Sequence, residues 1–439
     1  MESLQTTAER VNQQAISLGA EEVTVSISTS VSTEMSQRAG IVEKSQQSHS
    51  VSIGVSLLVN GRYSVHSASD PRPEAMRVFL ERAIAATRYL EPDEHRGLPS
   101  LASMGVSDAE KLDVYDENWS HCTPTTRRAE LSHLEAAAQQ ASSEDPVRSI
   151  SVWLWDAQTN SCMLCSNGYY AQWRRTQFGH GGEITLEQGE RLPEAYDFYS
   201  ARHKKDLPPA DFVARSLINR GRRRLGSKAI KSVKLPMLLE NRAVGRILNV
   251  LLGPMNGSAL YEKRSCLLEK QGERIANENF SIYSDPSIPR GLGSFPYDGD
   301  GLAGRKLALV EDGVLQNYFI GIYNGRRLQT APTSSSMANI TMPHGQRTPQ
   351  EILQSLPRAI RVEGFLGGNT NAITGDYSFG ITGTLFENGN PVQGVSEMNI
   401  SGNVFTLLQQ WQKAGSDVWT FGSYRVPSLL FDGIQFSGL

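Results

Sequence analysis

Apolar positions along the chain alternate between a helical and a strand rhythm. In residues 3–18, Leu4, Ala8, Val11, Ala15 and Leu18 fall at helical spacing and Gly19 follows as a stop, which predicts an amphipathic helix. From Val51 to Leu57 apolar residues alternate with Ser and Gly. Asn60-Gly61 then precedes Tyr63 and Val65, a hairpin signal because both turn types tolerate positive φ. A second helix is expected from Asp70-Pro71, with Met76, Phe79, Leu80, Ala83 and Ile84 on its apolar face. The same order then recurs. A helix over 125–142 (Leu131, Leu134, Ala138, Ala141) is followed by alternating Ile150, Val152 and Leu154, a second Asn-Gly at Asn167-Gly168, and a helix over 209–225. Residues 1–225 therefore read as two helix–strands–helix repeats of one architecture.

Past Val233-Lys234-Leu235-Pro236 the pattern changes. A strand leads into a helix bearing Val244, Ile247, Leu248, Leu251 and Leu252, and many short strands follow, punctuated by Asp312-Gly313 and Asn388-Gly389 turns. Two further helices are expected, one opening on the capping box Thr348-Pro349-Gln350-Glu351 and one from Asn403 to Ala414. The predicted fold class is α+β in two domains. Residues 1–228 form a duplicated helix/strand unit and 229–439 a strand-rich antiparallel unit, with the boundary within 226–235.

Composition narrows the functional classes. Lys plus Arg number 43 against 46 Asp plus Glu, a net charge of −3, so no global field draws in nucleic acid. The N-terminus lacks the basic start and apolar run of a signal peptide, and no apolar stretch approaches the ~18 residues of a membrane helix. Four cysteines in 439 residues are too few for a disulfide scaffold. A cytoplasmic protein without a membrane segment is expected.

Local chemistry is sparse. None of the eight histidines has a second within six residues, which argues against a helical zinc site, since the metal needs both imidazoles on one helix face. Cys162-Met-Leu-Cys165 has CxxC spacing, but in a strand residues three apart point to opposite faces, so buried structural thiols are expected. Asp298-Gly-Asp300-Gly starts like a calcium loop and fails at Leu302. Arg215, Arg220, Arg222, Arg223, Arg224 and Lys228 form one basic run on or after a helix. It reads as a solvated face that complements the helix dipole, with phosphate or acidic peptide as the sharper alternative.

Several ordered segments carry a resemblance. They are Leu235-Pro-Met-Leu-Leu-Glu-Asn-Arg-Ala-Val244, Gly257-Ser-Ala-Leu-Tyr-Glu-Lys263, Gly291-Leu-Gly-Ser-Phe-Pro-Tyr-Asp298 and Glu311-Asp-Gly-Val-Leu-Gln-Asn-Tyr318. Two sharper ones are Ala372-Ile-Thr-Gly-Asp-Tyr-Ser-Phe-Gly380 and Val395-Ser-Glu-Met-Asn-Ile-Ser-Gly-Asn403. With the two Asn-Gly segments of the first half, the chain resembles the TldD/PmbA family, the modulators of DNA gyrase now read as peptidases, over nearly its whole length. In that family the TldD type carries HExxxH on the helix after the boundary and a downstream Cys as third ligand. The TldE (PmbA) type lacks the motif. Here the helix near Ala243 to Leu252 has no histidine, and Trp419-Thr-Phe-Gly-Ser-Tyr-Arg-Val-Pro427 has no cysteine, which points to the TldE type.

The resemblance implies a heterodimer with a TldD-like HExxxH subunit, enclosing a cavity where unfolded or leader peptides are cleaved. Zinc is expected in that partner, to polarise the scissile carbonyl and activate water, and no cofactor in this chain. A homodimer in isolation stays open. An extended peptide could be held by strand addition, with Thr374, Gly375, Asp376, Tyr377, Ser378 and Glu397 as candidate cavity-facing residues and no catalytic or metal residue assigned. Two other readings stay open: a metal-free hydrolase acting alone, and a non-enzymatic gyrase modulator or binding protein resting on Arg222 to Arg224.

Overall fold

In the computed structural model, which describes residues 2–439, the first half of the chain builds one six-stranded antiparallel sheet. Its elements run α1 (Leu4–Ser17), β1 (Glu22–Arg38), β2 (Ile41–Val59), β3 (Arg62–Ala68) and α2 (Pro73–Thr87), and then α3 (Pro124–Ala141), β4 (Val147–Cys165), β5 (Tyr170–Leu186), β6 (Glu194–Ala201) and α4 (Ala210–Arg222). Each set is helix, three strands, helix, so the duplication read from the sequence is present. The order β3-β2-β1-β4-β5-β6 joins the two copies through the antiparallel pair β1–β4.

Alternation along the strands explains how the sheet is covered. Val23, Val25, Ile27 and Cys162 pack with Val11, Met76 and Leu80 of α1 and α2. Val152, Leu154 and Ile184 pack with Leu131, Leu134 and Leu217 of α3 and α4. Met163 and Cys165 face the other way, against Tyr169 and Tyr297. The two thiols of the CxxC thus lie in separate clusters on opposite faces, as a two-residue strand period requires. Burial pushes both above the usual thiol range. The Asn60-Gly61 turn has φ of 50° and 71° and closes a two-residue hairpin, Val59 against Arg62.

The second half contributes β7 (Val233–Leu239), α5 (Asn241–Leu252), α6 (Gly257–Tyr261), β8 (Ile282–Asp285), β9 (Leu307–Glu311), β10 (Val314–Leu315) and α7 (Ile322–Leu328). After these come β11 (Asn339–Thr341), α8 (Pro349–Gln354), β12 (Arg358–Asn371), β13 (Asp376–Glu387), β14 (Asn390–Asn403), α9 (Val404–Gln409), β15 (Trp411–Ala414), β16 (Tyr424–Arg425) and β17 (Leu429–Ser437). They form two sheets, ordered β10-β9-β8-β11-β16 and β14-β13-β12-β7-β17-β15, antiparallel except at β7–β12 and β11–β16. The apolar face of α5 is a centre of this core: Val244, Ile247, Leu248 and Leu251 are all at most 1% exposed.

Three expectations need correction. The helix read over 403–414 stops at Gln409, and Trp411–Ala414 becomes an edge strand on β17, because backbone pairing there overrides helical spacing. The capping box at Thr348 is present, but α6 and α7 add two short helices that the sequence pattern does not announce. The basic run is a solvated face only in part, with Arg215, Arg222 and Lys228 exposed. Arg220 pairs with Glu240 at 3.1 Å, Arg222 with Asp145 at 2.9 Å and Arg223 with Glu363 at 3.3 Å, so much of its charge is spent on ion pairs.

The fold also sets a pH dependence. His180 on β5 has its Nε2 shut away from solvent with no hydrogen-bond partner, and burial pulls its imidazole down to about 4. An unfolded His titrates near ~6.5, so between about pH 6.5 and 4 the unfolded chain binds the extra proton. Stability from the neutral ring is therefore complete above that window and lost as pH falls through it. Urea midpoints taken from pH 7 to 4.5 should drop for the wild type and flatten in His180→Leu. Equal slopes in the two proteins would contradict this assignment.

Candidate functional site

The two halves meet at a cleft of about 410 Å³. Its walls are Tyr196 and Phe198 on β6, Arg220 on α4, Arg242 and Arg246 on α5, the Glu363–Gly367 stretch of β12, and Trp419 from the loop before β16. The local sequence dictates this arrangement. Once Val244, Ile247 and Leu251 turn inward, the polar stripe of α5 carries Arg242 and Arg246, one turn apart on the same face. On the edge strand β6, burial alternates: Asp197 and Tyr199 point in, while Tyr196 (65% exposed) and Phe198 (43%) point out and stack at 6.3 Å.

Charge is tightly managed here. Asp197, fully buried, accepts hydrogen bonds from Arg242 Nη1 and from the Tyr199 hydroxyl at 3.1 Å. The Arg242 guanidinium also lies 3.9 Å from the centroid of Trp419 and 4.7 Å from that of Tyr199. Burial pulls it down to about 9, against a smaller opposing effect of Tyr196, which leaves it cationic at neutral pH. Its Nη2 is buried without a hydrogen-bond partner. Arg246 is exposed and has no carboxylate within ion-pair distance; its Nη2 donates to Gly367 O at 3.3 Å. Burial also raises the Tyr199 hydroxyl above its ordinary range.

A strand edge opens beside the arginines. β7 pairs with β12 only over Ile360–Val362, because the chain turns at Glu240 into α5. From Glu363 to Asn371 that side of β12 has no strand neighbour, and Leu366 through Asn371 are exposed. Such an edge is a template for an added strand.

The residues singled out from the sequence lie elsewhere. Thr374 and Gly375 form the β12–β13 connection and Asp376, Tyr377 and Ser378 start β13. Glu397 sits in an irregularity of β14 with φ 56°. None of the six lines the cleft. The turn is internally bonded: Thr374 Oγ1 donates to Asp376 at 2.6 Å, and Asn403 Nδ2 donates to both Thr374 O and Asp376. Gly375 has φ +80° and a Cβ there would lie 3.0 Å from Val404, which is a backbone reason for glycine. Tyr377 stacks on Phe379 in the core and borders a separate hollow of about 210 Å³, and burial raises its hydroxyl to about 12. Glu397 faces solvent, 3.8 Å from Arg191. Arg242 and Arg246 are the cleft arginines that sequence reasoning misses. Their signal is two arginines one turn apart on the polar stripe of an otherwise apolar helix.

Comparison with known proteins gives one picture. Residues 232–438 match a family model described as the PmbA/TldA metallopeptidase C-terminal domain, and residues 23–87 one described as PmbA/TldA metallopeptidase domain 1. The metalloprotease PmbA of Escherichia coli O157:H7 is 24% identical over 95% of this chain and 92% of its own length. A crystal structure from Bacteroides thetaiotaomicron, described as a modulator of DNA gyrase, is 30% identical with TM-score 0.95 and full coverage of both chains. TldE from Thermococcus kodakarensis shares the fold at TM-score 0.86 and 18% identity, over 98% of this chain and all of its own.

A metallopeptidase implies a metal, and the donors at this cleft do not fit one. Zinc takes imidazole, thiolate or carboxylate ligands. The helix wall offers two guanidinium groups, and Asp197 is already committed to Arg242. Among the described residues no group of three or more His, Cys, Asp or Glu side chains is placed to hold an ion. The Arg242–Asp197 pair is testable as a unit. Asp197→Asn should destabilise the protein by about 3 kcal/mol by leaving a buried guanidinium unmatched, whereas Asp197→Asn with Arg242→Met should recover much of that loss. Additive losses in urea unfolding would contradict the pairing.

Proposed function

The chain belongs to the PmbA/TldD family, and from that premise we propose that it is the TldE-type, non-zinc-binding subunit of a two-subunit peptidase that degrades unfolded or leader peptides. Its relatives support a function of proteolytic type. The finer role rests on one observation: the helix on which the resemblance puts the metal motif of the TldD type presents Arg242 and Arg246 to the cleft and has no histidine. This chain then contributes walls and a strand edge, while an HExxxH partner holds the zinc. The free side of β12 from Glu363 to Asn371 gives an extended peptide main-chain partners without regard to sequence. The exposed Thr374, Asp376, Ser378 and Glu397 belong to this proposal as a second wall that assembly would close, with Gly375 and Tyr377 supporting the turn.

One contact bears on the rival that the chain hydrolyses substrates alone. His66 Nε2 lies 2.8 Å from Ser64 Oγ on β3. That hydroxyl is shared with Thr87 at 2.5 Å, and no carboxylate bonds the imidazole, so the third member of a triad is missing. The nucleic-acid reading rests on Arg222 to Arg224, of which Arg222 and Arg223 are paired with Asp145 and Glu363.

The test is an unfolded-peptide assay with this chain, with an HExxxH homologue from the same genome, and with both mixed. Cleavage by the mixture alone, abolished by chelator, is expected. Cleavage by this chain alone, indifferent to chelator and lost in Ser64→Ala, would replace the proposal with the metal-free hydrolase.

A further inference from the structure

The cleft holds positive charge beyond what its own carboxylates match. Of its three lining guanidiniums, Arg220 has Glu240 and Arg242 has Asp197, and the lining carboxylate Glu363 is held by Arg223 and Arg361, so Arg246 has no acidic partner. Arg242 adds a buried Nη2 with no acceptor, an arrangement that costs stability unless something supplies one. Tyr196, Phe198, Phe365 and Trp419 surround these donors with aromatic surface, and the stacked pair Tyr196 and Phe198 is exposed. One unmatched cation beside one unmatched donor, walled by aromatic rings, is the complement of a single carboxylate attached to an apolar residue.

We propose that this cleft is an anchor for the C-terminal carboxylate of an extended peptide, with Arg246 as its principal ligand. The inference rests on the peptide-binding reading above and names the substrate feature that reading leaves open. Direction follows from the strand edge. The arginines lie at the Glu363–Gly367 end of β12, where the edge begins. A peptide added antiparallel to β12 therefore runs from Asn371 toward Glu363 and brings its C-terminus to the guanidinium groups. A parallel peptide would bring its ammonium end to them, which like charge disfavours. Arg246 holds Gly367 O at 3.3 Å and would exchange that neutral acceptor for a charged one.

The experiment measures binding of N-terminally labelled hexapeptides, with apolar and neutral side chains, to the full chain by fluorescence anisotropy. Three forms are compared: free acid, C-terminal amide, and amide with one internal Glu. The free acid should bind about tenfold or more tightly than the amide. Arg246→Gln should close that gap to within about twofold, and Arg246→Lys should keep part of it. Equal binding of acid and amide by the wild type would overturn the carboxylate anchor and leave the peptide-binding reading standing. Failure of every peptide to bind would overturn both. An internal-Glu amide as tight as the acid would overturn the terminal assignment, and displacement of the acid peptide by a short DNA duplex would overturn it in favour of phosphate.

Discussion

The buried pair between Arg242 and Asp197 ties the functional region together. Asp197 comes from the last strand of the duplicated sheet and Arg242 from the first turn of α5 in the second half, so this charge-assisted contact joins the halves at the cleft, beside the Arg220–Glu240 and Arg223–Glu363 pairs. Neither charge could stay buried alone at acceptable cost. The pair also orients what surrounds it. Tyr199 bonds Asp197, Trp419 lies over the guanidinium, and the Tyr199, Phe212, Trp419 and Phe421 rings pack edge to face or tilted around it. With that corner set, Arg246 one turn along α5 and the open side of β12 must face the same space.

Much of this architecture is legible in the sequence, for reasons that depend on local chemistry. Asn60-Gly61 specifies its hairpin because both residues enter the left-handed region. The twofold helix–strands–helix order is visible because each copy buries one face and keeps strict periodicity. Cys162 and Cys165 part company by the strand period alone. What escapes is set by distant partners. The edge strand Trp411–Ala414 exists because β17 is there to receive it, and part of the arginine run is drawn into ion pairs by Asp145, Glu240 and Glu363, between 20 and 140 residues away in sequence. The cleft is of the same kind, since no window of sequence contains both Asp197 and Arg242.

The candidate site shows how a shared fold can change chemistry through a few side chains. The family match spans both halves, and the apolar face of the helix after the boundary is kept as core. Its polar face carries Arg242 and Arg246 and no histidine. The packing beneath is fixed by Val244, Ile247 and Leu251, so the side chains of that face can vary without disturbing the core.

The claim at the centre of this account is that the α5 cleft is an anion site and not a metal site. Zinc content of the full chain, purified, loaded with excess zinc and dialysed, tests it most directly by elemental analysis. The account predicts no stoichiometric zinc and no change in thermal midpoint on loading. One zinc per chain that raises the midpoint and is lost in Arg246→Ala or Asp197→Ala would contradict it.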